Sequence, residues 1–184
     1  YCTQVNSVPD DPVRFHPSIK LGYYDQSLRQ LRDHHSLSDA LIQFASINDD
    51  DRKHALISAG FEYARHGQTV SSLSGGERAR LLFIGLSLAR YQLVFLDEPT
   101  GGVDPVTRRQ FWEMIYKTAN EGTTVFVTTH YMDEAEYCNR VSIMVEGRIA
   151  ALDTPQAMKG SFGVETMNEV FLGLTRPGGI ETHR

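Results

Sequence analysis

Hydrophobic positions in this chain follow two spacings, short unbroken runs and repeats at helical period, and their order outlines the fold. Ile19 to Tyr24 is a short run that predicts a strand, with Gln26 just beyond it. Leu37, Ala40, Leu41, Phe44 and Ala45, preceded by Ser36, repeat at helical spacing, and a second helix is predicted from Asp51 to Ala59 with Gly60 to stop it. Leu81, Ile84 and Leu88 carry the helical period between Arg78 and Arg90. The character then changes. Leu93-Val94-Phe95-Leu96, ending in Asp97-Glu98-Pro99, suits a buried parallel strand better than a helix too short to stand alone. Asp104-Pro105 marks a helix start whose inward face is Phe111, Ile115 and Ala119. Thr123 to Thr129, rich in β-branched residues, predicts a second buried strand with His130 at its end. Strand, helix, strand in that order predicts a parallel βαβ unit. Val141 to Val145 and Arg148 to Leu152, joined by Glu146-Gly147, predict a hairpin, and Thr166-Met167-Asn168-Glu169 is a capping box that opens a terminal helix. Residues 1 to 20, with Pro9, Pro12 and Pro17 and no periodicity, read as loop up to the first strand.

Composition narrows the classes of function. With 184 residues, 41% hydrophobic and 22% charged, the chain has the make-up of one globular domain with a core. A formal net charge of -5 and no basic cluster interleaved with aromatics argue against direct nucleic-acid binding. Cys2 and Cys138 stand far apart without metal-ligand spacing, so neither a zinc site nor a disulfide framework is implied and a reducing compartment fits. The longest mostly apolar run, Leu81 to Ala89, is about half of what a bilayer span needs, so a membrane role would pass through a partner. The opening Tyr1-Cys2-Thr3-Gln4 carries no initiator methionine or signal-peptide pattern, and the chain reads as a fragment.

Candidate chemistry sits where open α/β sheets place ligands, at the carboxyl ends of parallel strands. Asp97 and Glu98 are adjacent at such an end and, in extended backbone, point to opposite sides, which invites two jobs. An apolar strand ending in Asp is how phosphate-transferring enzymes hold Mg²⁺, and a second carboxylate can orient an attacking water. On Asp97-Glu98 alone the bland alternative, a polar turn after a strand, is the favoured reading, and a lone histidine such as His130 at a strand end is more often structural than catalytic. Ser74-Gly75-Gly76-Glu77 adds a capping box, which accounts for Ser74 and Glu77. It does not account for two glycines in a first helical turn, each costing about 1 kcal/mol relative to alanine, unless bare amides there face an anion.

Taken together, Leu73-Ser74-Gly75-Gly76-Glu77, the following helix, Leu93-Val94-Phe95-Leu96-Asp97-Glu98, Gly102-Val103-Asp104 and His130 after a strand resemble the nucleotide-binding domain of ATP-binding-cassette (ABC) ATPases, from about Lys20 to Thr175. The resemblance implies an α/β fold, a partial P-loop NTPase domain with a mostly parallel sheet core. Residues 27–92 would be a helical signature subdomain, 93–152 the sheet core and 153–184 a helical tail, all within one incomplete domain. By the same resemblance, Gln26 would sense Mg²⁺ and couple to a partner. Ser74, Gly75, Gly76 and Glu77 would form the signature that meets the γ-phosphate of ATP. Asp97 would hold Mg²⁺, Glu98 would polarise the attacking water, Asp104 would lie at a dimer interface and His130 would contact the γ-phosphate. Expected partners are a second ABC domain and a transmembrane permease subunit, with a location in the cytoplasm, peripheral to the inner face of the plasma membrane.

One part of the family pattern is missing. The phosphate loop GxxxxGK[ST] is absent: the four lysines are Lys20, Lys53, Lys117 and Lys159, and none follows a glycine. The sequence also changes branch. Leu21-Gly22-Tyr23-Tyr24-Asp25-Gln26 and the signature stretch resemble the ribosome-associated ABC-F proteins, whereas Gly101-Gly102-Val103-Asp104-Pro105, Thr128 to Glu136 and Met167 to Leu172 resemble ATPase subunits of bacterial multidrug-type exporters. A seam near Thr100 is the mark of a recombinant or chimeric chain. Three functions follow as expectations: the ATPase domain of an exporter, a fragment of a ribosome-associated translation or resistance factor, and a non-catalytic remnant that offers its signature surface in trans.

Overall fold

A computed structural model describes residues 16–176. The loop expected before residue 16 and the position of Cys2 lie outside the described residues. The chain divides into two compact units, residues 1–128 and 129–184, each described by itself.

In the first unit, β1 (Leu21–Tyr24), β2 (Leu93–Asp97) and β3 (Thr124–Thr128) form a parallel sheet in the order β1-β2-β3. The register sets Tyr24 beside Leu96 and Asp97 beside Thr128. Between β1 and β2 the chain runs through α1 (Leu37–Ile42), α2 (Asp49–Ser58) and α3 (Gly75–Leu88), and between β2 and β3 through α4 (Pro105–Asn120). Ser36, Asn48, Ser74 and Asp104 each accept an amide of the first turn, so every one of these helices starts on a side-chain cap. Gly60, at φ +81, ends the α2 segment in the left-handed region that glycine enters cheaply.

One face of the sheet is closed. Tyr24, Val94 and Leu96 are buried, Tyr24 meets Phe111 edge-on at 5.9 Å, and Phe83 lies 5.0 Å from Phe111 between α3 and α4. Leu37, Leu41, Leu56, Phe61 and Val70 extend this core into the helical region. The other face is open. Tyr23, Phe95 and Phe126 stand in one row across the three strands, with Tyr23 47% and Phe126 52% exposed. The expectation of a buried β3 is therefore corrected: its residues alternate between exposed and partly buried, because β3 is the last strand of this sheet and one of its faces is uncovered. On α4 the third inward position is Thr118 rather than Ala119, and its hydroxyl bonds Ser87 at 3.0 Å.

The second unit contains α5 (Met132–Ala135), the hairpin β4 (Val141–Val145) and β5 (Arg148–Asp153), α6 (Pro155–Phe162) and α7 (Met167–Thr175). Glu146 and Gly147, at φ +50 and +76, make the tight antiparallel turn that the sequence predicts. Ala135, Ile143, Met158, Met167 and Val170 form its core. Glu136 ties α6 to α7 by pairing with Lys159 at 2.6 Å and accepting the Met167 amide at 3.0 Å.

Candidate functional site

Parallel strands deliver their carboxyl ends to one edge, and α3 and α4 run back so that their N-termini return there. β1 ends at Tyr24, and the Asp25 carboxylate accepts the Ser27 amide and hydroxyl at 2.9 and 2.6 Å, which tightens the turn that presents Gln26. Those Ser27 bonds hold the Asp25 carboxyl below its ordinary range. Gln30 braces the same turn by donating to the Tyr23 carbonyl and accepting the Asp25 amide. Gln26 Nε2 then donates to Glu98 Oε2 at 3.0 Å. Two of the residues named by the resemblance are thus in direct contact.

Glu98 adopts φ +44, in the left-handed region that a non-glycine residue avoids. Its amide donates to the Thr128 carbonyl at 3.1 Å, and its carbonyl accepts the Gly101 amide at 3.0 Å, so flanking bonds impose the turn. Beneath it the buried Tyr24 hydroxyl donates to the Pro99 carbonyl at 3.3 Å, and burial pushes that phenol well above its ordinary range. Gly101 leaves room for Gln26: a β-carbon there would stand 3.3 Å from Gln26 Nε2 and 3.2 Å from the Glu98 carbonyl. Asp97 lies on the open face of the sheet, where Thr128 Oγ1 donates to its Oδ1 at 2.7 Å. Burial, with the Asp97 and Asp25 carboxylates adding to it, raises the pKa of the Tyr23 phenol.

The signature residues occupy the start of α3. Ser74 Oγ accepts the Glu77 amide at 3.3 Å, and Glu77 Oε2 accepts the Ser74 amide at 2.9 Å, the reciprocal pair that the sequence pattern predicts. Partial burial works to raise the Glu77 pKa, but Arg65, paired at 2.7 Å, and the Ser74 amide outweigh it and hold the carboxyl low. The glycines part company. Nothing lies within 4 Å of a β-carbon at Gly75, whereas one at Gly76 would stand 2.9 Å from Thr107 Cγ2. Gly76 therefore has a packing reason of its own, the close approach of the α3 and α4 N-termini, while Gly75 leaves open space above its turn. Asp104 caps α4 by accepting the Val106 and Thr107 amides, each at 3.0 Å, and the Thr107 hydroxyl at 2.5 Å, which holds its carboxyl low.

His130 belongs to the second unit. Its ring stacks on Tyr131 at 4.1 Å, and the loop is shaped by Thr129 Oγ1, which accepts the Tyr131 amide and donates to the buried Glu134. Within the first unit, Gln26, Asp97, Glu98 and Gly101 come together at the strand ends, and Gly76, Thr107 and Asp104 come together at the helix starts. Sequence reasoning missed Tyr24, Gly101 and Thr128, whose roles depend on strand register rather than on any local motif.

The chain's likenesses agree with this geometry. Residues 9–132 match the family model described as "AAA domain, putative AbiEii toxin, Type IV TA system". The chain is 41% identical over 104 residues to the "Probable multidrug ABC transporter ATP-binding protein YbhF" of Escherichia coli (strain K12), covering 54% of this chain and 18% of that protein. It is 33% identical over 187 residues to "Phospholipid-transporting ATPase ABCA3" of Homo sapiens, covering 88% of this chain and 11% of that protein. The chain thus spans less than a fifth of the length of either relative. Among solved structures, one described as "Structure of ATP binding subunit of ABC transporter" superposes with a TM-score of 0.70 at 22% identity, over 85% of this chain and 68% of that one. The dimeric "ATP-binding cassette MJ0796 bound to ADP and Pi" gives 0.61 at 20% identity, over 74% of this chain and 63% of that one. No helix among the described residues is long and apolar enough to cross a membrane.

Proposed function

The chain belongs to the matched AAA-domain family and is an ATP-binding-cassette nucleotide-binding domain; from that premise we propose that it serves as the energy-coupling ATPase domain of an exporter. The observation that carries this reading is the contact of Gln26 with Glu98 beside Asp97, at the carboxyl ends of parallel strands. Among the described residues no group of three or more His, Cys, Asp or Glu could hold a metal. Asp97 and the Gln26 amide oxygen are two hard donors, which suits Mg²⁺, an ion that keeps several waters and takes its remaining ligands from phosphate oxygens. Bound there, Mg²⁺ would neutralise charge developing on the transferred phosphate.

The chain's own residues would do the rest. Glu98 orients an attacking water and accepts its proton, and the left-handed turn aims the carboxylate off the strand. Gln26 senses the site through its bond to Glu98 and carries that state towards β1. Ser74 and Glu77 organise the start of α3, so that the bare amides around Gly75 favour an anion, the phosphate of ATP held by a second domain. Asp104 lies at the contact with that domain, and His130 meets the γ-phosphate. These 184 residues hold no GxxxxGK[ST] phosphate loop, so the roles given to them are those of the strand ends and the signature helix. The relatives are named for multidrug and phospholipid transport, which supports a transporter over a ribosome-associated factor. A permease partner and a place at the cytoplasmic face of the membrane follow from the same reading.

The test is ATP hydrolysis by the complete protein that contains this chain, with and without Glu98→Gln. Loss of the base should lower kcat by about 10² to 10⁴ while ATP is still bound. Hydrolysis that survives the change intact would remove Glu98 from the mechanism.

A further inference from the structure

Thr128 touches both acidic residues of the site at once. Its hydroxyl donates to Asp97 Oδ1 at 2.7 Å and accepts the Glu98 amide at 3.3 Å, while its carbonyl accepts the same amide at 3.1 Å. The directions are consistent: one O–H points to the carboxylate, and a lone pair of the same oxygen faces the amide. We propose that Thr128 is a positioning residue that couples Asp97 to Glu98 through this single hydroxyl.

The coupling follows from three features. Register places Thr128 directly beside Asp97 on the open face of the sheet, so the hydroxyl reaches the carboxylate without spanning a strand. A bond to an ionised carboxylate is charge-assisted and fixes which oxygen is tied and which is presented outward. Glu98 holds a left-handed backbone that needs outside support, and Thr128 anchors its amide through carbonyl and hydroxyl together. Hydrogen bonds in series polarise one another. A cation that draws on Asp97 therefore changes the grip of the Thr128 hydroxyl on the Glu98 amide, and loading of the metal position is felt by the residue that orients the water. The inference rests on Asp97 being the metal residue and Glu98 the base.

The test uses the ¹⁵N-labelled chain with Mn²⁺ as the probe, in wild type, Thr128→Val, Thr128→Ser and Asp97→Asn. Valine keeps the shape and suits a strand, so folding is preserved and checked by spectral dispersion. In Thr128→Val the Glu98 amide proton should move upfield, and the Mn²⁺ concentration that half-broadens the Asp97 and Glu98 signals should rise on the order of tenfold, as loss of a partner behind a metal ligand does elsewhere. Thr128→Ser should match wild type in both. A Thr128→Val chain identical to wild type in both measurements overturns the proposal. Broadening that is absent in wild type, or unchanged by Asp97→Asn, overturns the reading of Asp97 instead, and the Glu98 amide shift then still decides whether Thr128 positions Glu98.

Discussion

Gly75 and Gly76 are neighbours of one type with opposite demands, and two substitutions separate them. Alanine at Gly75 enters open space in the first turn of α3, so Gly75→Ala should raise stability by roughly 0.5–1 kcal/mol. Alanine at Gly76 meets Thr107, whose hydroxyl is tied to Asp104 and cannot swing aside without loosening the α4 cap. Gly76→Ala should therefore cost about 1–3 kcal/mol. Urea unfolding of the two variants against wild type checks both signs. Cys138 offers a second residue-scale test. Burial pushes its thiol up to about 11, with the neighbouring Glu134 adding to the shift. The folded protein should leave Cys138 unlabelled by iodoacetamide at neutral pH and expose it to the reagent only on unfolding.

At the scale of elements, α3 is held from both sides: Ser74 and Glu77 at its start, Arg65 from the preceding turn and Phe44 against its middle. A β-carbon at Gly85 would run into the Phe44 ring, so Gly85→Ala should push Phe44 and the end of α1 away from α3 and lower the thermal midpoint despite the better helix propensity of alanine. Removing the cap with Ser74→Ala should cost about 1 kcal/mol on its own. These local devices were legible from the sequence, because a cap or a left-handed glycine is set by residues within one turn. Ser36, Ser74, Asp104 and Thr166 all cap the helices that the pattern marked. What was not legible depends on register. Nothing local says that Thr128 faces Asp97, that Tyr24 reaches the Pro99 carbonyl 75 positions later, or that Thr107 is the reason Gly76 is a glycine. The exposure of β3 was misjudged for a related reason: β-branched residues mark a strand, but only the neighbouring strands decide which of its faces is covered.

Over the whole molecule, several carboxylates are held low by the structures they cap or pair with. For Asp104 the Thr107 bonds lead, for Glu169 the Thr166 bonds, and for Asp49 the Lys53 bond. Their folded pKa values lie below the unfolded ones, so the stability they lend is present above the ordinary carboxylate range, near pH 4, and is lost as pH falls through the lowered values. The urea midpoint should be flat from neutral pH to about 5 and fall steeply below 4, and Asp104→Asn should soften that fall.

The row of Tyr23, Phe95 and Phe126 has a colloidal consequence. Parallel sheets are ordinarily sheathed on both faces, and here Tyr23 and Phe126 are exposed on one, flanking a half-buried Phe95 that lies 5.6 Å from Phe126. Rings in such a row are as attractive to another molecule as to each other, so the chain in isolation should reach a concentration ceiling governed by self-adhesion rather than by unfolding. A single charge in the row, Phe126→Lys, should raise that ceiling in light scattering and dim the fluorescence of a bound apolar dye, leaving the melting curve almost where it was.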